Sequence, residues 1–236
     1  MKTRLQIMAM GLAIGFYGLF MSGCAPVFSE LQSARTAGKG QVELTAGYAT
    51  VNNGEYRDGE FIMASEKVQE QIGLQAAYGI TEDLDMRVRF EHITVADDGG
   101  NVNVLGFGPK YEIVDNIFSV YVPVGFAFGG DFQGKIEDTW EIHPTLLATV
   151  PFNKYIELNT SSKFIHAFHK DGWNYMAFNA GLGLSTDLDK YVVRPEYGWA
   201  WCTNDNNSDK FRQFSIGVTI YPNMFGSIGT KTVNRK

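Results

Sequence analysis

The fold of this chain is constrained most by an alternation of apolar with polar or small residues, which recurs with a period of two from residue 41 to residue 221. A period of two is typical of β-strands, because successive side chains of a strand point to opposite faces. The segment 118–128 shows the pattern most clearly, with Phe or Val at every even position. We therefore predict an all-β fold of about ten strands, within a range of eight to twelve. The predicted strands are 41–51, 69–80, 84–95, 102–113, 117–128, 139–150, 154–167, 173–185, 191–201 and 212–221.

The connections between these strands alternate between short and long. The short ones are 81–83, 114–116, 151–153 and 186–190, and the longer, polar ones are 52–68, 96–101, 129–138, 168–172 and 202–211. Transmembrane β-barrels have this alternation, with short periplasmic turns and longer external loops. An even number of strands would place both ends of the barrel on the periplasmic side.

Four prolines fall inside the predicted strands, namely Pro109, Pro123, Pro144 and Pro195. Proline has no N–H group to donate to a neighbouring strand. We therefore expect bulges or local breaks at these positions.

The two faces of the predicted strands differ in composition. The same alternation would fit a soluble barrel with an apolar interior. Aromatic residues, however, lie near both ends of the strands on the apolar face, as in the interfacial belts of membrane barrels. The opposite face carries glycine, serine and asparagine instead of the dense Lys and Glu of a solvated exterior. We therefore predict that the apolar face is directed outward, towards lipid.

In this pattern, residues 41–221 resemble the small outer-membrane β-barrel proteins of Gram-negative bacteria. The resemblance implies an up-and-down antiparallel transmembrane barrel in the outer membrane. It also implies contact with outer-membrane lipids and lipopolysaccharide. Residues 222–236 are then interpreted as a periplasmic tail.

The first residues have the features of a secretory signal peptide. Lys2 and Arg4 precede an apolar run, 7–21, that is short for a transmembrane helix. The sequence Met21-Ser22-Gly23-Cys24 resembles the lipobox of bacterial lipoproteins, although Met21 stands where leucine is usual. The resemblance implies that residues 1–23 are removed and that Cys24 is acylated. The alternative is an ordinary secretory leader with an incidental cysteine.

Residues 24–40 are polar, with glycines near their end, and are interpreted as a linker from the lipid to the barrel. On this interpretation the N-terminal lipid anchor lies on the periplasmic side, next to the start of the first strand. Acylation of Cys24 would leave Cys202 as the other cysteine of the chain, so we expect no intramolecular disulfide bond. We expect Cys202, beside Trp201, to have a structural role.

Charged residues of both signs lie on the predicted inner face. Because a buried charge is costly unless it is paired, we expect them to form a network that closes the lumen. The alternative is a path for a small solute or an ion. The predicted network consists of Glu43, Arg87, Arg89, Glu91, Lys110, Glu112, Glu141, Glu157, Lys163, Arg194 and Glu196.

The composition argues against a nucleic-acid partner, because the net charge is −6 and the pI is about 5.2. The sequence has no paired Cys and His spacing for a metal, and no cofactor is predicted. The best candidates for an enzyme site at the external rim are His169 and Asp171, with Ser161 or Ser162 as nucleophile. His-x-Asp in a loop is a weak signal, so we expect no catalytic residues. The sequence predicts a non-enzymatic envelope protein with a structural or surface-binding role, and a narrow channel is the alternative.

Overall fold

The alternating sequence forms a β-sheet that closes on itself in the computed structural model of the chain. The structure describes residues 26–57, 60–62, 66–96, 99–132, 134–170, 172–204 and 209–222. Residues 1–23, Cys24, Asp171 and most of the predicted tail lie outside these residues. The strands are β1 (Val42–Asn53), β2 (Glu55–Arg57), β3 (Glu60–Ile62), β4 (Lys67–Gly79), β5 (Leu84–Val95), β6 (Asn101–Val114), β7 (Phe118–Tyr121), β8 (Val124–Phe128), β9 (Glu141–Ile142), β10 (Thr145–Asn153), β11 (Ile156–Ala167), β12 (Tyr175–Leu184), β13 (Tyr191–Cys202) and β14 (Lys210–Ile220), with one 3-10 turn at Ile136–Thr139.

The sheet is closed because β1 pairs with β4 on one side and with β14 on the other. It contains twelve strand segments, and the small hairpin β2–β3 lies outside it. The segments β7 and β8 together occupy one position of the barrel, as do β9 and β10, so the barrel has ten strands. All strand pairings are antiparallel, and apart from the closing pair β1–β14 they join barrel strands that follow each other along the chain, which confirms the predicted fold class. Among the described residues, no helix is long and apolar enough to cross a membrane.

The prolines affect the strands unequally. Pro123 separates β7 from β8, and Pro144 separates β9 from β10, as expected from the missing N–H donor. At Pro195 the strand continues, but the ladder between β12 and β13 passes directly from the pair Gly181–Glu196 to the pair Leu184–Val193. At Pro109 the expectation was wrong, because β6 is continuous and Pro109 stays in register with Met86.

The two ends of the barrel carry different connections. We call the end with the connections 54–66, 96–100, 129–140, 168–174 and 203–209 the loop end, and the end with 80–83, 115–117, 154–155 and 185–190 the turn end. The first residues of β1 and the last of β14 both lie at the turn end, because Leu44 is in register with Ile220. This agrees with the sequence-based alternation of short and long connections.

Polar side chains fill the interior and apolar side chains cover the exterior. On β4, Ile72 is 61% exposed and Leu74 is 59% exposed, whereas Gln71, which precedes Ile72, is 1% exposed. The same alternation continues along the other long strands. The prediction that the apolar face is directed outward is therefore confirmed.

The segment that the sequence analysis interpreted as a linker runs inside the barrel. From residue 27 to residue 37 every residue except Arg35 is buried. We call residues 26–38 the luminal segment. Residues 24–40 were predicted to be a linker from the lipid to the barrel, and the sequence did not indicate that part of this stretch lies in the lumen. The lumen offers polar partners that satisfy an extended backbone without regular secondary structure.

Candidate functional site: the occupied lumen

The luminal segment crosses the barrel from the loop end to the turn end. Near the loop end, the Pro26 carbonyl accepts hydrogen bonds from Gln69 Nε2 at 2.9 Å and from Gln71 Nε2 at 3.1 Å. Near the turn end, Thr36 Oγ1 donates to the carbonyl of Glu82 in the β4–β5 turn at 2.6 Å. An extended chain of this length spans up to about 40 Å, which is enough to cross a hydrocarbon core of about 30 Å.

Apolar side chains of the segment pack against the wall near the loop end. Val27 lies in a buried cluster with Ile93, Val102, Val104 and Ala127. Phe28, which is 1% exposed, lies in a second cluster with Val51, Ile165, Ala177 and Ala200. The Phe28 ring also stacks on Phe211, with 5.6 Å between ring centroids. These contacts close the lumen at this level with hydrocarbon.

Cationic and amide side chains of the wall donate to the carbonyl groups of the segment. Lys163 Nζ donates to the Val27 carbonyl at 2.9 Å, and Asn179 Nδ2 donates to the Phe28 carbonyl at 3.0 Å. Further along, Lys110 Nζ donates to the Ser33 carbonyl at 3.1 Å. Gln75 and Arg89 donate in the same way to the carbonyls of Glu30 and Ser29.

Carboxylates and hydroxyls of the wall accept from the N–H groups of the segment. The carboxylate of Glu196 accepts two successive N–H groups, those of Glu30 at 2.9 Å and Leu31 at 3.0 Å. The N–H groups of Ala34, Thr36 and Ala37 donate to Thr149, Glu112 and Asp85, respectively. The wall thus binds the segment mainly through its backbone.

Leu31 adopts an unusual backbone conformation at the point where Glu196 binds. Its φ is +52°, in the left-handed region that a branched residue such as leucine rarely occupies. Successive N–H groups that converge in such a conformation form a concave site for an anion, and the Glu196 carboxylate occupies it. The Leu31 side chain lies against Gly47 and Gly217, where a Cβ would come within 2.5 Å and 3.1 Å of Leu31 Cδ1. Glycine at these two wall positions makes room for Leu31.

Two charged side chains of the segment pair with buried charges of the wall. Glu30 Oε1 lies 2.5 Å from Lys163 Nζ, with both side chains almost fully buried. Arg35 pairs with Glu157, which also binds Arg194 at 2.9 Å. A buried charge that loses its partner is strongly destabilising, so these pairs favour an occupied lumen.

The other wall charges pair mainly with one another, on the same strand or across one intervening strand. Arg87 binds Glu43 at 3.0 Å and Asp85 at 3.2 Å, and Arg89 binds Glu91 at 2.6 Å. All residues of the predicted network are buried except Glu112, which is partly exposed at the turn end: Glu43, Arg87, Arg89, Glu91, Lys110, Glu141, Glu157, Lys163, Arg194 and Glu196. Sequence reasoning missed the luminal position of the segment and two wall residues that bind the segment or its partners, Thr149 and Asn179. Asp85 and Gln75, which also bind the segment, belong to the predicted inner face but not to the predicted network.

The segment joins β1 through a tight turn at the turn end. Gly38 and Gly40 have φ of +83° and +71°, which glycine adopts without steric cost. Gly40 N donates to the Gly79 carbonyl at 2.8 Å. A Cβ at Gly79 would lie 1.8 Å from the Gly38 carbonyl oxygen, so the close approach of the two chains requires glycine there.

The candidate rim residues do not assemble into a recognisable catalytic arrangement within the described residues. His169 Nε2 lies 3.7 Å from Asp138 Oδ1, and Asp171 lies outside the described residues. Ser161 faces the lumen, where its Oγ accepts from Asn179 Nδ2 at 2.9 Å. His143 binds Glu141 at 2.9 Å within the buried wall.

The residues that the structure describes can be compared with the requirements of a metal site and of a reactive thiol. No group of three or more His, Cys, Asp or Glu side chains could hold a metal ion there. Cys202 is a buried free thiol whose Sγ donates to Asn204 Oδ1 at 3.5 Å. The side chain is therefore enclosed within the protein.

The class that the fold defines is a closed antiparallel β-barrel of ten strands, and the solved structures similar to it include outer-membrane proteins. The attachment invasion locus protein Ail of Yersinia pestis is 15% identical, with 78% of this chain and 99% of that chain covered and a TM-score of 0.34. An outer membrane channel from Pseudomonas putida F1 is 10% identical, with 82% and 99% covered and a TM-score of 0.47. Neisserial surface protein A is 13% identical, with 76% and 95% covered and a TM-score of 0.32. No family model matches the chain, and no curated protein matches it.

Proposed function

We propose that this chain is a non-enzymatic outer-membrane lipoprotein, a β-barrel that is closed by its own N-terminal segment and serves a structural or surface-binding role. The observation that carries the proposal is the burial of residues 27–37 along the lumen, with backbone and side chains bound by the wall. Residues 27–37 occupy the space that a solute would have to pass through, so the segment blocks the lumen.

A membrane location is supported by the exterior of the barrel. Large apolar side chains cover the outer face of successive strands, including Tyr78 at 55%, Tyr111 at 53% and Phe214 at 50% exposure. Soluble monomers rarely expose contiguous apolar patches larger than a few hundred Å². Aromatic contacts near the loop end, such as Phe126 with Trp140 at 4.8 Å between ring centroids, are of the kind found in interfacial belts. We expect outer-membrane lipids and lipopolysaccharide to be the partners of this surface.

The lipid anchor and the absence of catalysis are parts of this proposal. Cys24 is assigned as the acylated residue on the lipobox sequence. The non-enzymatic assignment is supported by the described rim residues, where His169 faces Asp138, and Ser161 is bound inside the lumen. In this proposal, the polar loops at the loop end are the part of the molecule that would bind a partner at the cell surface.

Planar-bilayer recording of the purified full-length protein tests the closed lumen. We expect no single-channel steps from the intact protein, whereas a variant that lacks residues 27–37 should show them if it still forms the barrel. Steps of a defined size from the intact protein would contradict the proposal and support a channel. Metabolic labelling with a radioactive fatty acid, with Cys24→Ser as control, tests the lipid anchor separately.

A further inference from the structure

The first described residues of the chain lie at the loop end of the barrel. Gln69, whose amide binds the Pro26 carbonyl, is in register with Val51 and with Val95, near the last residues of β1 and β5 before their loops. Val27 packs against Ile93, close to the same end of β5. The segment reaches the turn end at Thr36, which binds the β4–β5 turn.

The route of the segment restricts where the preceding residues can go. A return to the turn end would require a second passage through the lumen beside the first. The lumen is filled at the level of Phe28 and again at the level of Leu31 and Glu196. Two peptide links separate position 24 from Pro26 in the sequence, and two residues span at most about 7 Å.

We infer that the chain leaves the lumen at the loop end, so that the mature N-terminus lies on the external side of the membrane. This inference rests on the proposed function, since it assumes an outer-membrane barrel with periplasmic turns and an acylated Cys24. The acyl chains would then insert into the outer leaflet, which the apolar exterior adjoins. This inference is the opposite of the sequence-based prediction, which places the lipid anchor on the periplasmic side.

Cysteine accessibility in intact cells tests the inference. The parent is the full-length protein with Cys202→Ser. Each variant adds one substitution to it: Ala25→Cys, Lys135→Cys in a loop, or Asp83→Cys in the β4–β5 turn. The probe is a maleimide carried on a polyethylene glycol chain too large to cross the outer membrane, and labelling is read as a gel shift. A second N-terminal variant places the cysteine in a short Gly-Ser insertion between Ala25 and Pro26, which extends its reach.

We expect the Ala25 and insertion variants to be labelled in intact cells to the same extent as the Lys135 variant, whereas the Asp83 variant is labelled only after permeabilisation. Labelling of both N-terminal variants only after permeabilisation, like Asp83, would overturn the inference and leave the barrel intact. If Lys135 and Asp83 do not differ, the membrane barrel itself is refuted and the inference falls with it. Labelling of the parent at Cys24 would instead refute acylation.

Discussion

Glu196 is the wall residue whose two carboxylate oxygens bind successive N–H groups of the luminal segment. Its position is itself held, because Oε1 also accepts from Gln213 Nε2 at 3.1 Å and from Ser215 Oγ at 3.2 Å. Hydrogen bonds to charged groups contribute about 1.5–3 kcal/mol each, and a buried N–H that loses its acceptor is costly. A single carboxylate therefore stabilises the unusual φ of Leu31.

We predict that Glu196→Ala lowers the free energy of unfolding by about 3 kcal/mol, because two buried N–H groups lose their acceptor. Glu196→Gln should fall between this variant and the native protein, since one oxygen remains. Urea unfolding in detergent micelles measures the effect. Glu137→Ala is the control, because its exposed ion pair with Lys135 contributes little. An equal stability of Glu196→Ala and the native protein would show that the contact does not hold the segment.

At the scale of elements, the strands were predictable because their period of two survives in nearly every segment. The breaks at Pro123 and Pro144 were also predictable from the missing N–H donor. Pro109 keeps its register with Met86 on one side, and on the other side its carbonyl accepts from Val122 N at 3.0 Å, at the break between β7 and β8. The position of this break opposite Pro109 is set by strand pairing, which the sequence of β6 alone does not give. Whether a segment forms a strand can thus be predicted from its own sequence, whereas whether that strand is continuous depends on the strands with which it pairs.

The luminal segment was not predictable in the same way. It has no period, since its backbone is bound by side chains of distant strands instead of by a neighbouring strand. Two glycines of the barrel wall did carry information about it. Gly47 and Gly217 face each other in register and leave a space, which the Leu31 side chain fills. Without the register of β1 and β14, that space could be interpreted only as relief of crowding.

The junction between the luminal segment and β1 offers a test at this scale. We predict that Gly79→Ala lowers the free energy of unfolding by about 2 kcal/mol, because the new Cβ would meet the backbone oxygen of Gly38. Gly106→Ala is the matched control on β6, where the nearest atom to a new Cβ is 3.8 Å away. The midpoint of the heat-induced shift in gel mobility compares the two variants. A Gly79→Ala barrel as stable as the Gly106→Ala barrel would contradict the close approach.

At the scale of the whole molecule, the luminal segment provides partners for part of the charged side chains in the interior. The predicted choice was between a network that closes the lumen by itself and a path for a solute. The structure shows wall charges that pair partly with each other, as Arg87 does with Glu43, and partly with the segment, as Lys163 does with Glu30. A barrel of ten strands is thereby filled by its own chain, and its interior acts as a binding site for an extended peptide.

The presence of the segment in the lumen is tested most directly by a disulfide bond between Leu31→Cys and Gly217→Cys, in a Cys202→Ser background. A Cβ at Gly217 would lie 3.4 Å from the Leu31 Cβ, close to the spacing of about 3.5–4.5 Å that a disulfide requires. Gly106→Cys with Leu31→Cys is the control, because Leu31 has no atom within 4 Å of a Cβ there. Oxidation of isolated outer membranes should give a cross-linked band, reversible by reduction, for the first pair and not for the control. If the first pair forms no cross-link in barrels that show the folded gel mobility, the segment does not occupy the lumen.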